Sequence, residues 1–288
     1  MLNIRKPDWL KIHLGNNDRF SATGKMIGEK GLHTICQSGR CPNLGDCWNR
    51  GTATFMIGGT ICTRSCKFCN TQTGKPLPLD RSEPEKIASS VRDMGLTHVV
   101  ITSVDRDDLP DYGANHWAET IRQIKRQNPD VTMEVLIPDF RGKTECLELV
   151  IQAHPDLISH NVETVRRLTP GVRSVADYET SLDVLRYISS SGIPAKTGLM
   201  LGLGETRDEI LETMDDILRV GAWLLSIGQY LQPGAKNLPV AAYIHPDLFE
   251  EYKQIGLQKG FKHIESAPLV RSSYHSAVYV EKNFQLVL

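Results

Sequence analysis

The sequence predicts an α/β fold: a partial (βα)6 barrel of the TIM type, with N-terminal and C-terminal extensions packed on it. Strand and helix patterns alternate six times through the middle of the chain, and neither tail continues the alternation. The length, 288 residues, suits one barrel-type domain with appendages.

Apolar or β-branched runs fall at 54–57, 98–102, 132–137, 157–161, 195–201 and 223–229. Helical patterns follow at 84–94, 115–126, 143–153, 175–191, 205–220 and 246–259. Strands that alternate with helices imply parallel βαβ units, and right-handed crossovers curl such a sheet toward a barrel. A full eightfold barrel needs two more units, which the tails do not supply. The expected division is an N-terminal extension at 1–50, the barrel at 51–260 and a C-terminal extension at 261–288. Neither extension has a self-sufficient apolar pattern, so both are expected to pack on the barrel.

Composition narrows the function. Lys and Arg number 33 against 34 Asp and Glu, a net charge of −1. Such a balance argues against a general polyanion binder, so nucleic acid is not the expected substrate. Hydrophobic residues make up 40%, enough for a sizeable core without disulfides. No apolar run reaches the ~18 residues of a membrane span, and the basic N-terminus lacks a secretory apolar segment. A cytoplasmic protein is expected, with no membrane partner.

The chain has seven cysteines, and six of them lie between 36 and 69. An odd count without an export signal argues against a disulfide framework and for metal or redox chemistry. Cys62, Cys66 and Cys69 form C-x3-C-x2-C directly after the first strand. Three thiolates on one tight loop can hold three irons of a cubane cluster, leaving the fourth iron open to a small ligand. S-Adenosylmethionine (SAM) offers the amine and carboxylate such an iron takes. A structural zinc site would want four closed ligands, and no nearby histidine completes this set. Upstream, Cys36, Cys41 and Cys47 form C-x4-C-x5-C in a segment rich in Gly, Pro and Asn. Ordinary core packing is the alternative for these three. The strand near 54 separates the two sets, which favours two sites over one. Cys146 sits in a helical segment and reads as packing.

Active sites of parallel barrels lie at the C-terminal ends of strands. That rule selects Ser103 with the acidic stretch to Asp108, Asn161 with Glu163, and Gly202 with Glu205 as candidate cofactor contacts. Each also has a plainer reading. Asn161 and Glu163 suit a helix cap and first turn, Gly202 and Glu205 a tight βα turn, and 105–108 a solvated loop.

The cysteine loop, with Phe68 before its last cysteine, resembles that of radical SAM enzymes, and the strand from Gly198 to Glu205 is similar to their glycine-rich segment. The pairing of both cysteine sets resembles the lipoyl synthase family. So do Cys41-Pro-Asn, Cys47-Trp, Thr63-Arg64-Ser65-Cys66-Lys67-Phe68-Cys69, Asp107-Asp108-Leu109 and Arg271-Ser272-Ser273-Tyr274-His275. The resemblance runs from about residue 30 to 275. It implies SAM and two [4Fe–4S] clusters as cofactors. It also implies insertion of two sulfur atoms into an octanoyl chain on a carrier-protein lysine, the sulfur coming from an auxiliary cluster on Cys36, Cys41 and Cys47. In the family a serine of the R-S-S-Y motif is the fourth ligand of that cluster, here Ser273, with Ser272 not separable by spacing. The implied partners are an octanoylated lipoyl domain or glycine-cleavage-type carrier protein and an electron donor such as ferredoxin or flavodoxin. The alternatives are another radical SAM sulfur-inserting enzyme and a non-catalytic iron–sulfur electron carrier.

Overall fold

A computed structural model describes residues 5–11, 18–49 and 53–279. The chain divides into two compact units. Among the described residues the first holds 18–64, 70–158 and 275–279, and the second holds 5–11, 65–69 and 159–274.

The first unit begins with three helices, α1 (Asp18–Glu29), α2 (Ile35–Ser38) and α3 (Leu44–Asn49). Helices α1 and α3 meet at Trp48, which is buried and tilts against Phe20 with ring centroids 5.2 Å apart. Gly24 permits this, because a Cβ there would stand 2.9 Å from the indole. Thr34 caps α2 by accepting from the Gln37 amide, and an antiparallel bridge joins Thr34 to Phe55. Helix α2 therefore docks on β1 (Thr54–Ile57). A two-residue parallel ladder, β2 (Ile61–Cys62) with β3 (Gln72–Thr73), closes the loop that follows.

Next come α4 (Glu83–Asp93), β4 (His98–Ser103), α5 (Ala114–Gln127), β5 (Thr132–Leu136) and α6 (Thr144–Ile151). Strand β6 (Leu157–Ser159) starts in this unit. β1, β4 and β5 form a parallel ladder, with Phe55 opposite Ile101 and Ile101 opposite Val135, all three fully buried. Helix α4 turns Ile87, Ala88 and Val91 inward, and α5 turns Trp117, Ala118, Ile121 and Ile124 inward. These are the i, i+4, i+7 rows of core-facing helices.

The second unit contains α7 (Thr169–Val172), α8 (Tyr178–Ser190), β7 (Ala195–Leu201), α9 (Arg207–Arg219), β8 (Leu224–Gln229), α10 (Pro246–Lys259) and β9 (His263–Ser266). Its strands β7, β8 and β9 are parallel neighbours. Asp177 caps α8 and a Thr206–Glu209 capping box opens α9. Both helices therefore start two or three residues later than the apolar periodicity suggests, since an N-cap residue is not itself helical.

The protein is α/β, built from parallel strands and helices of the partial-barrel kind the sequence predicts. The repeat runs one strand further than expected: β9 lies in the segment read as outside it. His263-Ile-Glu-Ser shows only Ile264 to the core, too little apolar signal to be read as a strand. Among the described residues no helix is long and apolar enough to cross a membrane.

Candidate functional site

In the first unit, β1 leads through Gly58 and Gly59, with φ of +83° and +98°, into the loop bearing Cys62. Its sulfur accepts from the amides of Arg64 at 3.4 Å and Asp105 at 3.3 Å. It also lies 3.5 Å from the Asp105 carboxylate. Burial, and then the Asp105 charge, push the Cys62 thiol up to about 12. Burial likewise raises Asp105, against the pull of Arg64. Ser103, at the end of β4, keeps a buried hydroxyl with no hydrogen-bond partner among the described residues.

Cys36 lies on α2, Cys41 follows that helix with its amide on the Cys36 carbonyl at 3.0 Å, and Cys47 lies on α3. Cys36 is buried, while Cys41 and Cys47 are half-buried. Burial pushes the Cys36 thiol up to about 11, partly offset by hydrogen bonds from Thr54. Asn70 donates to the Ser38 carbonyl at 2.9 Å. Cys146 is buried on α6 against the Asp111 carbonyl, as packing predicts.

In the second unit, Cys66 and Cys69 are joined by a backbone hydrogen bond of 3.0 Å. The Cys66 sulfur lies 3.7 Å from the Ser174 hydroxyl. Asn237 donates to the Cys69 and Lys67 carbonyls at 2.8 and 3.2 Å. Neither Ser174 nor Asn237 was read from the sequence, where nothing links them to the cysteines.

The other candidates of this unit separate into two groups. Asn161 and Glu163 come together past the end of β6, the Asn161 amide reaching the Glu163 carboxylate at 3.2 Å. Glu163 has φ +73°, a conformation uncommon for a residue with a Cβ, and bridges to Leu199. Burial raises its carboxyl, opposed by the Arg173 charge. The Asn161 carbonyl oxygen is buried with no partner among the described residues, and Gly198 lets it sit there, since a Cβ would approach it to 2.9 Å. Gly202 and Glu205 serve the turn. The Glu205 carboxylate accepts from the Gly202 and Leu203 amides. A Cβ on Gly202 would meet Gln229 at 2.1 Å and the Ala242 carbonyl at 2.4 Å. At 271–274, Ser272 accepts from Asn161 at 2.7 Å and its carbonyl accepts from Lys196 at 2.5 Å. Ser273 makes no hydrogen bond among the described residues.

Among the described residues no three His, Cys, Asp or Glu side chains are grouped closely enough to hold a metal ion. The donor set nonetheless fits the expected groups. Two sets of three thiols suit two iron–sulfur clusters. Buried polar atoms are normally satisfied, so the orphaned Ser103 hydroxyl and Asn161 carbonyl are suited to a polar ligand. The ion pairs of Arg64 with Asp105, Asp107 and Asp139 are not foreseen from the sequence. An arginine inside a cysteine motif was the available signal.

Residues 56–217 match the Radical SAM superfamily. A protein named lipoyl synthase from Porphyromonas gingivalis is 62% identical over 275 residues, covering 95% of this chain and 98% of the relative. Its namesake from Bacteroides fragilis is 62% identical over 280 residues, 97% of each chain. That from Treponema denticola is 58% identical over 278 residues, 96% of each. Among solved structures, Streptococcus suis SuiB bound to S-adenosylmethionine matches with a TM-score of 0.59 at 12% identity, over 77% of this chain and 52% of that chain. Coproporphyrinogen III oxidase from Escherichia coli, described as a radical SAM enzyme, matches with a TM-score of 0.51 at 14% identity, over 78% and 57%. The chain spans little more than half the length of these two structures, and the likeness to them is one of fold. With a superfamily match over more than half its length and relatives this similar from end to end, the chain belongs to the radical SAM superfamily and, within it, to the lipoyl synthase family.

Proposed function

We propose a residue-by-residue division of labour for the lipoyl synthase reaction that this chain carries out, the insertion of two sulfur atoms into a carrier-bound octanoyl chain. Cys62, Cys66 and Cys69 hold the cluster that binds SAM. Cys36, Cys41 and Cys47 hold the auxiliary [4Fe–4S] cluster. Unactivated C–H bonds resist acid–base catalysis, so the cofactors carry the hard step: SAM at the reduced cluster supplies a hydrogen-abstracting radical, and the auxiliary cluster supplies sulfur. The protein's part is to bind, orient and exclude water.

Ser103 and Asn161 each offer a buried oxygen in want of a partner, and with Glu163 they are the groups to bind SAM. Asn161 can accept through its free carbonyl while its amide stays fixed by Glu163 and Ser272. Glu163 is the carboxylate placed beside it. Gly202 and Glu205 hold the turn after β7 and act on the cofactor only through the backbone they fix. The Ser272 hydroxyl is engaged by Asn161, which leaves Ser273 as the serine for the fourth position of the auxiliary cluster. A serine oxygen is a harder and weaker partner for such a cluster than thiolate, which suits a bond that must release.

The observation that supports this reading most is that both three-cysteine sets occur in a chain matching lipoyl synthases over nearly its full length. The acceptor is an octanoyl group on a lysine of a lipoyl domain or a glycine-cleavage-type carrier protein. Ferredoxin or flavodoxin supplies electrons, no nucleic acid takes part, and the enzyme works in the cytoplasm. The extension at 1–50 carries the auxiliary cysteines, and the segment after β9 carries Ser273. The test is anaerobic reconstitution, followed by assay of deoxyadenosine and lipoyl product for each cysteine variant. Deoxyadenosine should vanish with Cys66→Ala and persist with Cys41→Ala, which should form no lipoyl group.

A further inference from the structure

The loop that bears Cys62 is fastened by a buried charge network that the reaction described above does not use. Arg64, two residues on, is 5% exposed. Its Nε and Nη2 donate to the two oxygens of Asp107, each at 2.8 Å. Its Nη1 and Nη2 donate to both oxygens of Asp139, each at 2.7 Å. Asp105 stands 3.3 Å from Nε. Asp105 and Asp107 follow the end of β4, and Asp139 follows the end of β5. Asp139 is itself buried and caps the short turn Phe140–Gly142 by accepting from the Arg141 amide at 2.9 Å. Arg141 returns to Asp107 at 3.2 Å.

The backbone of the loop is fixed to the same place. The amide and hydroxyl of Thr63 donate to the Asp105 carbonyl at 3.1 and 3.0 Å, and the hydroxyl accepts from the Asp107 amide at 3.1 Å. Thr73 donates to the Arg64 carbonyl at 3.0 Å. A buried ion network is a poor stabiliser, because desolvation offsets most of the attraction. Its attested use is to fix register. Paired forks on two carboxylates can be satisfied in one position only, and a lysine, with a single rotatable ammonium, cannot reproduce them.

We propose that Arg64 is a positioning residue that sets the register of the Cys62 loop against the ends of β4 and β5 before iron arrives. It does so through paired forks to Asp107 and Asp139. This rests on the reading that Cys62, Cys66 and Cys69 hold a cluster. Without the forks the loop slides, Cys62 leaves the position the other two cysteines require, and this cluster alone is lost. The auxiliary cysteines, on α2 to α3, are not held by the network and keep theirs.

The test compares full-length wild type with Arg64→Lys, which keeps the charge and loses the fork. Metal-free protein is read by amide hydrogen exchange, and reconstituted protein by iron content and the paramagnetic resonance of the reduced cluster. In Arg64→Lys the Thr63 and Asp107 amides should exchange at least about tenfold faster while those of α5 keep wild-type protection. Iron should fall from roughly eight to about four per chain. Unchanged exchange with full iron and a wild-type spectrum overturns the proposal. Should Arg64→Lys misfold, Asp107→Asn keeps the shape and one acceptor oxygen. It should show the same selective change in smaller degree, and wild-type behaviour in it overturns the proposal as well. Cys66→Ala separates this inference from the reading beneath it. If that variant retains all its iron, the cluster assignment fails and the role of Arg64 fails with it. If it loses half and the Arg64 and Asp107 variants lose none, only the positioning role fails.

Discussion

The side-chain amide of Asn161 donates to the hydroxyl of Ser272 at 2.7 Å, across 111 positions of sequence. It joins the residues past β6 to the turn at 271–274, which the Tyr274 amide closes on the Arg271 carbonyl at 2.9 Å. Two neighbouring serines are thereby given different surroundings, and their substitutions should have different consequences. Ser272→Ala frees Asn161 and should weaken SAM binding severalfold while the auxiliary cluster stays. Ser273→Cys should keep that cluster and slow or stop lipoyl formation, because the bond meant to release has been strengthened. Iron content, SAM binding and product yield on the two variants decide this. Unchanged turnover in Ser273→Cys would show that release of this bond does not matter.

The two cysteine sets should separate two activities. Cys62→Ala, Cys66→Ala and Cys69→Ala should each abolish deoxyadenosine formation. Cys36→Ala, Cys41→Ala and Cys47→Ala should retain it and make no lipoyl product. Loss of deoxyadenosine in the second group, with the first cluster spectroscopically intact, would contradict the division.

Strand β8 tests how the C-terminal turn is seated. A Cβ on Gly228 would lie 2.1 Å from the Val270 carbonyl oxygen, and a backbone atom cannot move aside as a flexible side chain can. Gly228→Ala should therefore cost about 1–3 kcal/mol, the range for overpacking a filled site. It should also disturb the segment leading to Ser272 and Ser273. Denaturant melts of the metal-free variant check the first effect, and product yield at full iron loading checks the second. A variant equal to wild type in both would mean that the turn does not depend on this contact.

Iron loading should depend on pH. The Cys36 and Cys62 thiols are raised from 9.0 to about 11 and about 12 by burial, for Cys62 with the Asp105 charge adding to it. A folded value above the unfolded one means that the protonated thiol favours the fold. That contribution is complete below about pH 9 and is lost as pH rises through 11 and 12. The metal-free chain should lose stability across that window, and less so in Cys36→Ala. Metal binds the thiolate, so near pH 7 iron must displace these protons, and reconstitution should quicken up to about tenfold per pH unit below 9. Reconstitution rates independent of pH would contradict the thiol environments described.

Much of this was legible in the sequence because it is written in local patterns. Alternating apolar runs gave all six expected strands to within two residues, and α10 began at Pro246 and ended before Gly260 as punctuation requires. Cysteine spacing separated two sets of ligands. What stayed hidden depends on distant partners. β9 shows one buried residue, α1 owes its core to Trp48 far along the chain, and Asp139 meets Arg64 across 75 positions. The Glu205 carboxylate closes the turn on the Gly202 and Leu203 amides. No spacing could distinguish that from a cofactor contact, whereas Asn161 is set apart by its orphaned oxygen.

This chain places two sulfur atoms on an octanoyl chain. The most direct test is tandem mass spectrometry of an octanoylated lysine on a lipoyl carrier domain, after anaerobic incubation with reconstituted protein, SAM and reductant. An acyl chain bearing two sulfurs on that lysine is the expected product, formed only when Cys36, Cys41 and Cys47 are all present. An octanoyl group left unchanged while SAM is cleaved to deoxyadenosine by protein with both clusters loaded would contradict this activity.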